Sequence, residues 1–208
     1  MRFERRLLAL VSLAVFASIV FASVFVYYPA TITVSPVKPP VVFIAGSNAN
    51  GTDLLGNTIT VNIGQNSTSL SVTIHPTYQL TYYKNVTIIK NVDSRVYYVY
   101  LRVQTPVQIG DTGLPQGSQL ILYIYQHSMG ASRSLSGNFP PTPTSGSYAA
   151  SLSLTTTGQT DPITLSSGDW LELDVYVSIP EGNPLPSPVT AQLLLVYTPY
   201  TPSTETPP

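Results

Sequence analysis

The stretch SVFVYYPATITVS, residues 23–35, decides how the rest of the chain is interpreted. Every even position in it is apolar, and most odd positions carry a hydroxyl group. Alternation over so long a run is typical of a β-strand that buries one face. Pro29 lacks a ladder donor, which suits a strand at a sheet edge. The apolar row that would be buried consists of Val24, Val26, Tyr28, Ala30, Ile32 and Val34.

The segment before this stretch has the pattern of a signal peptide. Three arginines among the first six residues are followed by the apolar run LLALVSLAVFASIVF, and Val20 and Ala22 are placed like the small residues before a cleavage site. We therefore predict that residues 1–22 direct export and are removed. An uncleaved membrane anchor is the alternative, because residues 7–26 are apolar enough to span a bilayer. In both cases the N-terminal segment makes the membrane contact and the remainder faces outside.

The composition predicts a neutral, hydroxyl-rich surface. Charged residues make up 9% of the chain, against about a quarter in an ordinary globular protein. Positive residues are few and scattered, so a nucleic acid is not an expected partner. The chain contains no cysteine, which excludes disulfides and thiolate chemistry.

After residue 36 the pattern predicts one all-β domain, residues 36–198, followed by a Pro/Thr-rich tail, residues 199–208. Together with residues 23–35 the predicted strands number about ten, which favours a two-sheet sandwich of jelly-roll type. The strand at 119–126 is apolar on both faces, so we predict a central strand covered on both faces, whereas the strand at 170–179 has one apolar stripe. The strands predicted after residue 36 are Val41–Ala45, Thr58–Ile63, Ser69–His75, Gln79–Lys90, Val96–Gln104, Gln119–Gln126, Tyr148–Leu154, Trp170–Ile179 and Thr190–Thr198.

Residues that could carry catalysis or bind a metal are sparse. His75 and His127 are the two histidines of the chain, and neither belongs to a zinc-binding motif. There is no GxSxG motif either. We therefore predict no enzymatic activity, no catalytic residue, no metal site and no cofactor.

Acidic residues gather around Trp170. Glu172 and Asp174 lie two apart on the predicted outer face of their strand, with Asp161 and Asp169 nearby. Oxygen ligands of this kind can bind calcium. A solvated strand face is the preferred interpretation, and nothing in the sequence indicates that the pair acts as a glycosidase acid and base.

Three Asn-x-Ser/Thr sequons occur, at Asn50, Asn66 and Asn85. Asn50 and Asn66 fall in predicted loops. Asn85 falls in a predicted strand, where Val86 and Ile88 would face the core and turn Asn85 and Thr87 outward. We predict glycans at all three positions, with ordinary surface asparagines as the alternative.

Two stretches resemble a known kind of protein. The run YYKNVTIIKNVDSRVYYVYLRV, residues 82–103, and the run LSSGDWLELDVYVSIPEG, residues 165–182, resemble strand pairs of TasA/camelysin-type biofilm fibre subunits. The overall format, with a signal peptide, a tyrosine- and threonine-rich sandwich and no cysteine, resembles the exported bundling pilins of hyperthermophilic archaea.

The resemblance implies a subunit of an extracellular filament that joins by donor-strand complementation. Residues 23–34 match the donor strand, a second copy of the chain is the implied partner, and filaments of this kind can bundle. The alternative is a membrane-anchored cell-surface β-sandwich that binds carbohydrate or a protein, with residues 23–35 folded onto their own domain. A secreted filament subunit would polymerise, and a binding domain would not.

The signal-peptide pattern generates a first prediction. Because Val20 and Ala22 precede a polar residue, cleavage is expected after Ala22. Mass spectrometry of the native protein should give a chain that begins at Ser23. Recovery of an intact, membrane-bound chain that still contains Met1, and of no other species, would contradict this prediction.

Overall fold

A computed structural model of the chain describes residues 2–20, 26–129 and 133–201. The chain divides into two compact units, residues 1–37 and residues 38–208. In the first unit, helix α1 spans Arg2–Val20. Its leucines and alanines are strong helix formers. No helix within the described residues is long and apolar enough to cross a membrane. The predicted cleavage point, Val24 and the end of the tail (residues 202–208) lie outside the described residues.

The second unit is built from β-strands, which confirms the all-β class. Each of the nine strands predicted after residue 36 is present, and several short strands were not predicted. Two single turns of 3₁₀-helix, Leu54–Gly56 and His127–Met129, lie between strands. The strands are β1 (Val41–Ala45), β2 (Thr60–Ile63), β3 (Leu70–Thr73), β4 (Gln79–Asn91), β5 (Tyr97–Thr105), β6 (Gln119–Gln126), β7 (Leu135–Ser136), β8 (Thr142–Pro143), β9 (Ala150–Ser153), β10 (Gly158–Gln159), β11 (Ile163–Leu165), β12 (Trp170–Ile179) and β13 (Gln192–Thr198).

Two antiparallel sheets enclose the main core. The larger sheet has the order β1-β4-β12-β6-β9. In the smaller sheet, β5 pairs with β10, β11 and β13. Since Val99 and Val103 of β5 each pair with β13 and also with β11 or β10, these two short strands must lie on the opposite side of β5 from β13. The pairs β2–β3 and β7–β8 form separate hairpins.

The core is made by the inward rows of the two sheets. Leu171 and Leu173 of β12 and Ile89 of β4 pack in one buried cluster with Val99 and Leu101 of β5. The apolar stripe predicted along residues 170–179 is thus confirmed. Burial of such side chains, at about 25 cal/mol per Å² of apolar surface, is the main favourable contribution to folding.

The outer face of the larger sheet carries a second, aromatic cluster. Tyr123 and Tyr125 of β6 and Tyr176 of β12 are buried there, and Tyr148 packs against them. The rings of Tyr123 and Tyr148 meet edge to face with centroids 4.9 Å apart. The prediction that β6 is covered on both faces is therefore confirmed.

A bulge interrupts β4 opposite Asp174. The pairing register between β4 and β12 shifts between Leu173 and Val175. Asn85 has a left-handed φ of 44° at this point, which asparagine adopts more readily than most residues. The prediction that Asn85 and Thr87 face outward is wrong: Asn85 is 8% exposed and Thr87 is fully buried. Thr87 pairs with the core residue Leu173, so the odd residues of β4 face the core there, whereas the prediction had assigned that face to the even residues.

Gly46, just after β1, allows the chain to pass close to this bulge. A Cβ atom at Gly46 would lie 2.0 Å from the carbonyl oxygen of Asn85. The N–H of Gly46 donates to the carbonyl oxygen of Val86 at 3.2 Å. A larger residue at position 46 would therefore force the two backbones apart.

Candidate functional site

The segment of residues 26–37 forms neither helix nor strand, and its described side chains are exposed. Val26 is 66% exposed and Ile32 is 88% exposed. Tyr28, Ala30 and Val34, the other described members of the predicted apolar row, are exposed as well. The alternating pattern of the sequence therefore has no buried face within the described chain. A regular row of exposed apolar residues is a candidate contact surface.

Strand β13 presents a free edge. It pairs with β5 along one side, and no backbone hydrogen bond from another described segment reaches its other side. Its sequence, QLLLVYT, contains no charged residue and no proline. Natural edge strands usually carry charges, prolines or bulges that prevent pairing with another chain. Beyond a register shift between Gln192 and Leu193, β13 lacks these protections.

The core is open along this same edge. Leu193, Leu195 and Tyr197 lie opposite the buried β5 residues Val103, Leu101 and Val99, and therefore face the core. Leu193 is nevertheless 36% exposed, and Leu195 and Tyr197 are half-buried. An inward-facing leucine that remains exposed indicates that the layer covering it is incomplete.

The acidic residues of β12 do not form a solvated strand face, so that interpretation is wrong. Arg133, from the long loop after β6, donates from Nε to Asp174 Oδ2 at 2.7 Å and from Nη2 to the carboxylate of Glu172. Its guanidinium also lies over the ring of Tyr125, 4.5 Å from the centroid. The side chain of Asp174 is completely buried.

The electrostatics of this cluster keep Arg133 charged. Burial by itself lowers the pKa of the guanidinium, but the hydrogen bonds and charges of Asp174 and Glu172 outweigh it and raise the pKa above its ordinary value. Burial, with the hydrogen bonds to Tyr125 and Asp174, also raises the pKa of Tyr82. The cluster is therefore a paired, hydrogen-bonded group whose carboxylates are already engaged.

Hydrogen bonds and a ring contact also hold the side chains at the start of β12. Asp169 Oδ2 accepts hydrogen bonds from Gln126 Nε2 and Ser128 Oγ, both at 2.9 Å. Burial opposes ionisation of Asp169, but these bonds and the Trp170 N–H lower its pKa. His127 stacks on Trp170 with ring centroids 3.5 Å apart. These contacts hold the loop after β6 against the start of β12.

His75 pairs with an aspartate that the sequence did not single out. Asp53 Oδ2 accepts from the backbone N–H of His75 at 2.8 Å and lies 3.0 Å from His75 Nδ1, while Tyr83 donates to Asp53 Oδ1. Burial opposes ionisation of Asp53, but bonds from the backbone N–H groups of Leu54 and His75 and from both side chains lower its pKa. Among the described residues, no serine or threonine hydroxyl bonds His75. The pair fastens the loop after β1 to the end of β3.

The three sequons are in different environments. Asn50 and Asn66 are exposed in loops, at the positions expected from the sequence. Asn85 is buried beneath the bulge, and its side-chain oxygen has no hydrogen-bond partner there. No group of three or more His, Cys, Asp or Glu side chains suited to a metal ion occurs among the residues that could be searched, which are the described ones.

Sequence reasoning missed Arg133, Asp53 and the free edge of β13. The two charged residues come from loops, and no periodicity indicates their partners. For β13 a signal was present, since the run QLLLVYT combines high strand propensity with an absence of charge.

Comparison with known proteins adds no assignment: no protein-family model matches this chain, and no curated protein matches it.

The Arg133 cluster predicts a large effect of one surface-loop substitution. Replacing Arg133 with alanine would leave the buried Asp174 carboxylate without its cation, which is expected to cost about 3–5 kcal/mol. Arg95 is exposed, so Arg95→Ala is the matched control and should change stability little. Urea denaturation of both variants measures the difference. Equal, small losses for the two variants would show that the cluster does not stabilise the fold.

The placement of the sequons predicts selective glycosylation. Glycans are expected on Asn50 and Asn66 of the native protein, because both side chains are exposed. Asn85 is expected to be unmodified, since a transferase cannot reach a buried amide. Peptide mapping by mass spectrometry checks all three sites in one digest. A glycan on Asn85, or bare asparagines at positions 50 and 66, would be the contrary result.

Proposed function

We propose that this protein is the structural subunit of an extracellular filament, a pilus or biofilm-matrix fibre, assembled by donor-strand complementation. In this proposal residues 23–34 of one copy complete the β-sandwich of the next copy. The observation that carries it is the exposed apolar row of residues 26–34, which alternates as a strand does and is unpaired in the described chain.

The chemistry of the segment favours a strand-addition interface. Residues 26–37 contain no charged residue, so burial would desolvate no charge. An added strand gains main-chain hydrogen bonds along its length and places alternate side chains in a groove. Val26, Tyr28, Ile32 and Val34 would each contribute about 1.5–3 kcal/mol on burial, before the cost of ordering the strand.

The arrangement of the chain favours an open filament over a closed dimer. The donor segment lies at one end of the sequence, and the sandwich that would accept it is formed by the remainder. A head-to-tail contact between two different surfaces generates a filament when its rotation does not close. Pro36, Pro39 and Pro40 form a stiff link between the two parts, which disfavours insertion of the segment into its own sandwich.

Export and surface character are consistent with this role. The signal-peptide pattern of residues 1–22 would deliver the chain to the cell surface, and the antiparallel sandwich is proposed to be of the jelly-roll type. A neutral surface rich in hydroxyl groups, with glycans on its loops, would also allow neighbouring filaments to bundle, since little charge repulsion would separate them.

The test is to charge one face of the segment at a time. Val26→Asp with Ile32→Asp places two charges on the apolar row and should abolish assembly. Thr31→Asp with Thr33→Asp places the same two charges on the other face and should leave filaments intact. Electron microscopy and size-exclusion chromatography of the mature protein score both variants.

Two outcomes would contradict the proposal. Normal filaments from the Val26→Asp, Ile32→Asp variant would show that the row is not the joint. An unaltered mature protein that remains a monomer at high concentration would indicate that the chain is not a filament subunit at all.

A further inference from the structure

We infer that the free edge of β13 in a second copy of the chain receives residues 26–34, and that the inserted segment runs antiparallel to β13. This inference rests on the proposed function and identifies both the acceptor and the strand direction. It follows from the direction in which the N–H and carbonyl groups of β13 point, and from the position of Pro29 in the inserted segment.

The contacts of Leu101 show in which direction β5 presents its backbone hydrogen-bonding groups. The N–H of Thr160 donates to the carbonyl oxygen of Leu101 at 2.9 Å, and the N–H of Leu101 donates to Thr160 Oγ1 at 3.1 Å. Thr160 follows β10, which lies on the side of β5 opposite β13. Both backbone groups of Leu101 therefore point away from β13.

The pairing of β5 with β13 fixes the direction of the backbone groups of β13. Leu195 lies directly opposite Leu101 in the antiparallel ladder. Opposite residues in such a ladder either exchange both hydrogen bonds or point all four groups away from each other. The N–H and carbonyl of Leu195 therefore point to the free edge. Backbone direction alternates along a strand, so Leu193 and Tyr197 point there too.

The core-facing residues of β13 are thus also the residues with free backbone groups. Leu193, Leu195 and Tyr197 face the core, are incompletely covered, and offer their N–H and carbonyl groups to a new neighbour. An added strand would cover the open part of the core and satisfy these groups at the same time.

Pro29 then decides the direction of the inserted segment. In an antiparallel pair, residues that bond across the pair lie opposite each other with side chains on the same face. The even residues of the segment would then both face the core and bond β13, and Pro29, an odd residue without an N–H, would point to solvent. In a parallel pair the odd residues would bond β13 instead, and Pro29 would leave a gap in the ladder.

The composition of the two surfaces agrees with this pairing. Neither residues 26–37 nor residues 189–201 contain a charged side chain, so no ionic group is buried when they meet. The apolar even row of the segment would extend the row of Leu193, Leu195 and Tyr197. A segment of nine residues is long enough to cover the seven residues of β13.

Cysteine cross-linking tests the acceptor and the direction together. The chain has no cysteine, so introduced pairs have no background. With the centre of the segment opposite Leu195, an antiparallel strand places Tyr27 beside Thr198, and a parallel strand places Thr33 there. The two positions are roughly 20 Å apart along a strand, whereas a disulfide requires Cα atoms within about 7 Å.

The expected result is a ladder of covalent multimers on a denaturing, non-reducing gel from oxidised filaments of Tyr27→Cys with Thr198→Cys. Thr33→Cys with Thr198→Cys should give monomers alone. The reverse pattern overturns the antiparallel direction. Filaments that cross-link in neither variant overturn β13 as the acceptor, and a disulfide confined to single chains overturns the second copy as the occupant.

A proline pair provides a second readout that does not depend on disulfide geometry. Ala30→Pro removes an N–H that should bond β13, and filament formation is expected to fail. Thr31→Pro removes an N–H that should face solvent, and filaments are expected to form. Failure of the inference and failure of the proposed function are distinguishable: filaments that form with the opposite proline sensitivity refute the inference alone, whereas an unaltered protein that never polymerises refutes both.

Discussion

The larger sheet depends on the hydrogen bonds and the ion pair that the buried carboxylate of Asp174 makes. It sits at the register shift between the two longest strands, where its Oδ1 accepts the N–H of Asn85 at 2.6 Å. Its Oδ2 accepts from Tyr82 and Arg133, both at 2.7 Å. A charge held without solvent must be satisfied in this way, because burial of an unpaired carboxylate is too unfavourable for a folded domain to sustain. One side chain therefore fixes the bulge and fastens the long loop.

The outer face of the larger sheet and the edge of β13 differ in how well they are covered. On the outer face of the larger sheet, Arg133 and the tyrosines cover the strands and satisfy the buried carboxylate. Along β13 no comparable cover exists among the described residues, and Leu193 remains exposed. A free edge of this kind is a hazard for a protein that must stay monomeric, and it is an asset for one that assembles. Under the proposed function, the covered face of the larger sheet stabilises the subunit, and the open edge of β13 joins it to the next copy.

The predictions from sequence succeeded where periodicity was sufficient and failed where long-range contacts decided. The strands at Gln119–Gln126 and Trp170–Ile179 were predicted to the residue, because apolar residues fill both faces of the first and form a regular stripe along the second. Asn85 was predicted to be exposed, but it is buried at a bulge where its N–H bonds Asp174, 89 positions away along the chain. The acidic pair of β12 was assigned to solvent, because no neighbouring residue in the sequence indicates that Arg133, from the loop after β6, would pair with it.

The sequence by itself determined the all-β class, the position of nearly every long strand and the apolar alternation of residues 23–35, since these depend on side chains spaced two apart along one chain. Tertiary structure decided what covers each strand. It placed Arg133 against Asp174, buried Asn85, and left one edge of β13 without a neighbour among the described residues. Those outcomes depend on which distant segments meet, and the backbone offers the same hydrogen-bonding groups at every residue except proline. The uncharged run of β13 marks a strand that could pair with another chain, but only the arrangement of its neighbours shows that its edge is free.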